Sequence, residues 1–316
     1  MKNIMSVLII SLIATLTIGC TSTDQSPNSD ADLTIYTTIY PIQFAVERIG
    51  GESVTVKTVY PPGVDAHTYE PTSKTMTEVA RSDAFIYLGA GMEGFAENMA
   101  SALASQDISI VELGTDEDLF HSELVEHDET EQENENHEGH SHSDHDPHIW
   151  LDPLRMLDMS ELVLNILSDL NPNKASKYKE NFTTLQNELI ELDDLYRQTL
   201  QQKTNKKLLV SHAAFGYWEE RYGLEQLSIH GLSSGNVPSQ KELTEIIEEA
   251  EENNLEYIIF EQNSSNRVSE IIQDHLHMKE LIIHNLAVLM ENDMESNEDY
   301  LSLMEQNLEV LDKATN

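Results

Sequence analysis

From residue 33 onward the chain alternates short runs rich in β-branched and aromatic residues with longer stretches whose apolar positions recur every three or four residues. "LTIYTTI" (33–39), "VTVKTVY" (54–60), "AFIYLG" (84–89) and "ISIVEL" (108–113) predict strands, with helical patterns near 41–50, 72–82 and 93–105 between them. A second series follows: "KLLVSH" (207–212), "LEQLSI" (224–229), "EYIIFE" (256–261) and "ELIIH" (280–284), again separated by helical patterns. Ser239, with Glu242 three residues later, forms a capping box that opens the helix running to about Asn253. Strand and helix in alternation, twice over, predict an α/β fold of two lobes with parallel-rich sheets, spanning 33–152 and 205–316. Between them, residues 153–204 keep helical periodicity without a single Gly, interrupted only at Asn171-Pro172. That stretch predicts a long, nearly continuous helix joining the lobes and making the pair stiff.

Residues 114–147 break the pattern. From Asp116 to Asp146 the chain carries thirteen acids, six histidines and no Lys or Arg, a composition that cannot bury enough apolar surface to fold alone. This segment is expected to be a mobile loop inserted at the end of the first lobe. The N-terminus is set apart in another way. Residues 1–19 hold one basic residue, Lys2, and an apolar run from Ile4 to Ile18, too short for a membrane span and suited to an export signal. The run ends at "LTIGC", which resembles the bacterial lipobox and makes Cys20 the expected lipid-attachment site. Residues 20–32 are small and polar, as a flexible tether would be.

Charge and cysteine usage narrow the chemistry. With 57 Asp and Glu against 18 Lys and Arg, the net charge is −39, which argues against nucleic acid as a partner and suits cations. Cys20 is the only cysteine, so neither a disulfide framework nor a thiolate zinc site can form. The chain does hold thirteen histidines, in two classes of context. His121, His127, His137, His140, His142 and His145 lie among carboxylates in the inserted segment, where neutral imidazoles can collect divalent metal loosely. His137, His140, His142 and His145, the densest group, form the expected auxiliary site.

Three other histidines sit at the mouths of ordered elements. His67 lies in "YPPGVDAHTYEP", just past the carboxyl end of a strand, where α/β folds place ligands. His212 ends the strand "KLLVSH", the equivalent position in the second lobe. His148 precedes "IWLDP", whose Ile149 and Trp150 should anchor it to the body. Any one of these could be a buried, hydrogen-bonded histidine. Together they make a three-imidazole set that leaves a tetrahedral metal one further position.

The segments "YTTIYPIQFAVERIGG", "YPPGVDAHTYEPT", "DPHIWLDP", "VSHAAFGYWEERYGL", "GLSSGNVPS" and "YIIFEQNSS" resemble the solute-binding lipoproteins of bacterial zinc-uptake ABC transporters. The resemblance covers essentially all of the chain after the tether. It implies two α/β lobes joined by a rigid linker helix, with Zn²⁺ held between them by His67, His148 and His212. It implies a monomer, lipid-anchored on the outer face of the cell membrane, that passes zinc to an ABC permease and is not an enzyme. Manganese relatives carry Glu where this chain has His212, which favours zinc, since harder Mn²⁺ prefers more oxygen donors. One departure from the family pattern stands out. The two positions where relatives supply a carboxylate as fourth ligand are Ala287 and Ala66 here, which leaves water, His284 or Glu291 as candidates. A manganese-binding or adhesin lipoprotein, and less readily a three-histidine zinc hydrolase, are the competing functions; for the last, no HExxH or comparable acid–base pairing is visible.

Overall fold

The structure, a computed structural model of the chain, describes residues 32–121, 145–233, 238–263 and 267–315. The first lobe holds β1 (Leu33–Thr37), α1 (Tyr40–Gly50), β2 (Val54–Thr58), α2 (Ser73–Val79), β3 (Ala84–Tyr87), α3 (Ala96–Leu103) and β4 (Ser109–Glu112). Its sheet has the order β2-β1-β3-β4 with every pairing parallel. After α4 (Pro153–Leu170) and α5 (Ala175–Leu200), the second lobe runs β5 (Lys207–His212), α6 (Gly216–Tyr222), β6 (Glu225–His230), α7 (Gln240–Glu252), β7 (Tyr257–Glu261), α8 (Arg267–Leu276) and β8 (Lys279–Ile283), and ends in α9 (Glu291–Ser296) and α10 (Tyr300–Ala314). Its sheet is again wholly parallel, β6-β5-β7-β8, so the two lobes share one topology. In both, the first strand lies inside the sheet and the chain then winds to either side of it. Such a reversal opens a crevice at the carboxyl ends of the strands.

All eight predicted strands are present, most of them one or two residues shorter than their apolar runs. β2 stops at Thr58 because the next residues turn inward: Val59 and Tyr60 are buried, and the Tyr60 hydroxyl donates to the Ala66 carbonyl at 2.8 Å. That bond folds the connection carrying His67 back over the sheet edge. The predicted capping box is also present, with Ser239 and Glu242 reciprocally bonded.

The linker departs from expectation. The single helix expected over 153–204 is a helical hairpin whose two arms both reach both lobes: α4 packs on α1 and its Arg155 pairs with Glu220 of α6, while α5 runs from the first lobe to the second. Asn171, ahead of Pro172, is driven out of the helical region (φ −138°, ψ 78°), and the chain reverses there. The reversal is visible at both ends. Asp32 contacts Asn171 and Lys174 at the bend, while Arg221 bridges Asp152, which caps the start of α4, and Asp193, far along α5. The 26 residues of α5 span about 39 Å and bury Tyr178, Phe182, Leu185, Leu189, Leu192, Tyr196 and Leu200, a three-four stripe facing one side. Near its start the Asn181 amide donates to the Ile49 carbonyl of the first lobe; near its end the Tyr196 hydroxyl donates to the Met304 carbonyl of α10. A second crossing comes from the chain after β8. Tyr40 N–H donates to Ala287 O, Trp150 Nε1–H to Asn285 O, and the Tyr300 ring stacks on Phe44.

Arg221 deserves a test, because it holds two carboxylates that are only 4% and 3% exposed. Burial pushes Asp152 up to about 6 even with Arg221 beside it. Arg221→Ala is expected to lower unfolding free energy by about 1–3 kcal/mol, the cost of removing charged hydrogen bonds from two buried carboxylates that keep Arg155 and Arg197 as partners. Urea unfolding should show a lower midpoint at an unchanged slope.

The inserted segment is also shorter than expected at its ends. Residues 122–144, which include His127, His137, His140 and His142, lie outside the described residues. Residues 114–121 and 145–147 belong to the body instead: Leu119 and Phe120 are buried, and the Arg155 guanidinium donates to the carbonyls of Leu119 and His121. His121 and His145 therefore stand on the folded surface.

Candidate metal centre

Three carboxyl strand ends and two connections converge on one cavity. β5 ends at His212 and its neighbours β6 and β7 end at His230 and Glu261, so parallel register alone sets these three side by side. His67 arrives on the connection after β2. His148 arrives on the chain leaving the insertion, immediately before a 3₁₀ turn, Ile149–Leu151, whose three side chains are fully buried. Trp150 donates to the Asn285 carbonyl at 2.8 Å and Trp218 donates to the Leu151 carbonyl at 2.5 Å, which fixes the turn and with it His148. His148 and His212 are buried and His67 is half-buried.

The three imidazoles offer nitrogens that all lie within 4.8 Å of one another, and they are the one such His, Asp, Glu or Cys group among the described residues. Their rings sit 5.0–5.5 Å apart, inclined at 68°, 85° and 77°. His67 Nε2 and His148 Nε2 are 3.3 Å apart. A tetrahedral ion with bonds of about 2.0–2.1 Å has edges of about 3.3–3.4 Å, so this separation needs no adjustment.

Carboxylates set the tautomers. Asp146 Oδ1 lies 2.7 Å from His148 Nδ1 and also accepts the His148 backbone N–H, while Glu261 Oε1 lies 2.7 Å from His212 Nδ1. A ring that donates from Nδ1 to a carboxylate presents Nε2 as its lone pair and becomes more basic. Asn285 Nδ2–H donates to the other oxygen of Glu261, locking that carboxylate in turn. His212 Nε2 meets the Leu232 carbonyl at 2.9 Å, so an ion taking this nitrogen must displace that contact.

The imidazoles differ in proton affinity. Burial lowers His67 to about 4, and the neighbouring His148 and His212 push in the same direction. Burial opposes charge on His212 as well, but the buried Glu261 carboxylate outweighs it and raises His212 to about 9. Reciprocally, His212 and Asn285 hold Glu261 below the usual carboxylate range against the effect of its burial.

The remaining wall explains the departure seen in the sequence. Ala66 and Ala287 both line the cavity, so the two positions where a fourth carboxylate was sought do face the imidazoles, carrying methyl groups. The substitutes proposed from sequence are elsewhere. His284 Nε2 bonds Asp293 at 3.0 Å and its Nδ1 accepts the Leu286 N–H; Glu291 is exposed on α9. Neither lines the cavity. Asp146, Glu261 and His230 were not singled out by the sequence pattern, and of these Glu261 and His230 line the cavity. The available signal was a polar residue closing each strand beside β5, which becomes informative only once strand order is known. At about 40 Å³ the cavity suits an ion and a water, far below the several hundred Å³ that organic ligands occupy.

The family model for ZnuA, zinc-uptake complex component A, periplasmic, matches residues 35–314. The zinc-binding lipoprotein AdcA of Streptococcus pneumoniae is 31% identical over 315 residues, covering 100% of this chain and 61% of the relative. The chain thus spans about three fifths of that relative's length. The high-affinity zinc uptake system protein ZnuA of Bacillus subtilis is 29% identical, covering 93% of this chain and 91% of the relative. Among solved structures, the Zn(II)-bound ZnuA-like domain of Streptococcus pneumoniae AdcA superposes with a TM-score of 0.71 at 28% identity, over 90% of this chain and 99% of that one.

Proposed function

The chain belongs to the ZnuA family of zinc-uptake components, and from that premise we propose that it captures Zn²⁺ outside the cytoplasm and delivers it to an ABC-type permease. In this proposal His67, His148 and His212 are the protein ligands, water completes the tetrahedron, and Cys20 carries the lipid that holds the protein at the membrane. The carrying observation is that three imidazoles bring nitrogens within 4.8 Å of one another, two of them oriented by the carboxylates of Asp146 and buried Glu261. Relatives named zinc-binding lipoproteins support the choice of cargo and of anchoring. The all-nitrogen donor set favours Zn²⁺ over Mn²⁺, and the size of the cavity disfavours a hydrolase with an organic substrate.

Metal analysis of protein purified without added metal tests the proposal: one equivalent of zinc should be retained, and Zn²⁺ should outcompete Mn²⁺. Retention of manganese, or of no metal at stoichiometric level, would sink it. A deletion variant lacking residues 122–144 should keep the tight calorimetric event, because Asp146 and His148 remain. Extending the cut through Asp146 would remove the carboxylate that orients His148.

The alanine wall offers a gain-of-binding experiment. Ala287→Glu puts a carboxylate at the cavity, displacing the water and adding a ligand that must detach before the metal leaves. Zinc release into excess chelator should slow by roughly tenfold. An unchanged release rate with normal folding would mean that position 287 cannot reach the ion.

A further inference from the structure

Residues 63–67 carry His67 into the cavity, and the backbone is pinned on both sides of Asp65. The Val64 carbonyl accepts from Asn263 Nδ2–H at 3.0 Å, and the Ala66 carbonyl accepts from the Tyr60 hydroxyl at 2.8 Å. Asp65 Oδ1 in turn accepts the His67 backbone N–H at 2.9 Å. The same turn recurs on the other connection, where Asp146 Oδ1 accepts the His148 N–H at 3.0 Å. Asp-Ala-His at 65–67 and Asp-Pro-His at 146–148 are thus one local device: a carboxylate two residues ahead of a histidine fixes how that histidine enters the site.

Asp65 lines the metal cavity next to Ala66, one of the two methyl groups on the wall where a fourth ligand belongs. Two carboxylates line this cavity among the described residues, and Glu261 is engaged by His212 on one oxygen and by Asn285 on the other. Asp65 is the second. Burial is the largest influence on both His67 and His212, and against it the Asp65 charge raises the proton affinity of each. A field that reaches two rings from different lobes places the carboxylate close to the ion they would share. Asp65 does not belong to the donor group within 4.8 Å of one another, whereas a fourth ligand on a tetrahedral zinc would lie about 3.3–3.4 Å from each nitrogen. A carboxylate near the ion but outside its ligand set acts through a ligand water.

We infer that Asp65 is the positioning residue for the fourth zinc ligand: its carboxylate accepts a hydrogen bond from the metal-bound water and keeps anions off that position. This role rests on the three-imidazole zinc reading above and adds to it the group that holds the water. Three neutral imidazoles bring no negative charge to the dication, so the protons of its water are strong donors and a neighbouring carboxylate is their acceptor. The same negative charge opposes chloride or any other small anion that would replace the water.

The test uses the full chain loaded with one equivalent of Co²⁺, whose visible d–d absorption reports replacement of a bound water by azide. Asp65→Asn and Asp65→Ser both keep an oxygen that can accept the His67 N–H, so each removes the charge and leaves the turn. Both should bind azide about tenfold more tightly than wild type at pH 7.5. Both should also release Zn²⁺ to excess chelator about tenfold faster. Asp194→Asn, exposed on α5, should leave azide affinity unchanged, which separates a local charge from net charge. Thermal melts of the metal-free proteins, expected to match, establish that the fold is intact. Equal azide affinities in wild type and both Asp65 variants would overturn the role, since a carboxylate that only shapes the turn does not repel an anion at the metal. An equal gain in Asp194→Asn would overturn it as well. Azide that enters both Asp65 variants but leaves the wild-type spectrum unchanged would overturn it differently, by making Asp65 itself the fourth ligand. Failure of wild type to retain stoichiometric Co²⁺ or Zn²⁺ would sink the zinc reading itself, and the Asp65 role with it.

Discussion

Zinc affinity should rise about tenfold for each pH unit between pH 7 and about 9, roughly a hundredfold in all, and level off above that range. The cause is His212, which Glu261 raises to about 9 against the effect of burial. Below that value both ring nitrogens carry protons, one facing Glu261 and the other the Leu232 carbonyl. Zinc must take Nε2, so binding expels that proton, and every unit of acidification strengthens the competitor tenfold. His67, lowered to about 4 by burial and its imidazole neighbours, is already neutral throughout this range and adds no slope. Competition against a chelator of known pH dependence measures the slope. Calorimetry in buffers of differing ionisation heat measures the proton count, expected near one per zinc from His212 at pH 7.5. A flat profile from pH 7 to 9 would remove His212 from the role of proton-competing ligand.

Glu261→Gln is expected to separate two roles of one carboxylate. Above pH 9, where His212 in the wild type becomes largely neutral, the variant should bind zinc about 10–100-fold more weakly, the usual cost of losing a carboxylate that orients a ligating histidine. The amide also fits poorly: with its oxygen toward His212 Nδ1, its NH₂ faces the Asn285 NH₂, which donates to Glu261 in the wild type. At pH 7 the loss should shrink. Without the carboxylate the main influence that offsets burial is gone, leaving only the Leu232 carbonyl and the charge of Asp65, so His212 is held protonated far less and the proton competes less. The two affinity curves therefore converge toward neutral pH, and the slope predicted for the wild type disappears from the variant. An equal fold-loss at pH 7 and pH 9 would show that Glu261 orients His212 without setting its proton affinity.

The departures from expectation share a cause. At Asn171-Pro172 the local pattern is compatible with a kinked helix or with a reversal, since proline only forbids an ideal continuation. Burial of one face of α4 against α5 selects the reversal, and no local signal encodes that contact. Phe120 and Leu119 sit within an acidic run, so composition assigned them to the insertion, and only packing beside Arg155 returns them to the body. The missed carboxylates tell the same story. Glu261 is 49 residues from the histidine it orients, and their pairing depends on β7 lying next to β5.

Periodicity and residue chemistry are local properties, and they sufficed for the element types, the two-lobed α/β class, the choice of imidazole donors and their placement at strand mouths. The family resemblance also marked Ala66 and Ala287 as carboxylate-free positions, and both line the cavity. The path of the linker and the partner of each histidine, and hence its tautomer and proton affinity, depend on which distant segments pack together. Those contacts are set by burial of apolar faces across the whole chain, and through-space electrostatics then follows from where the packed elements put their charges.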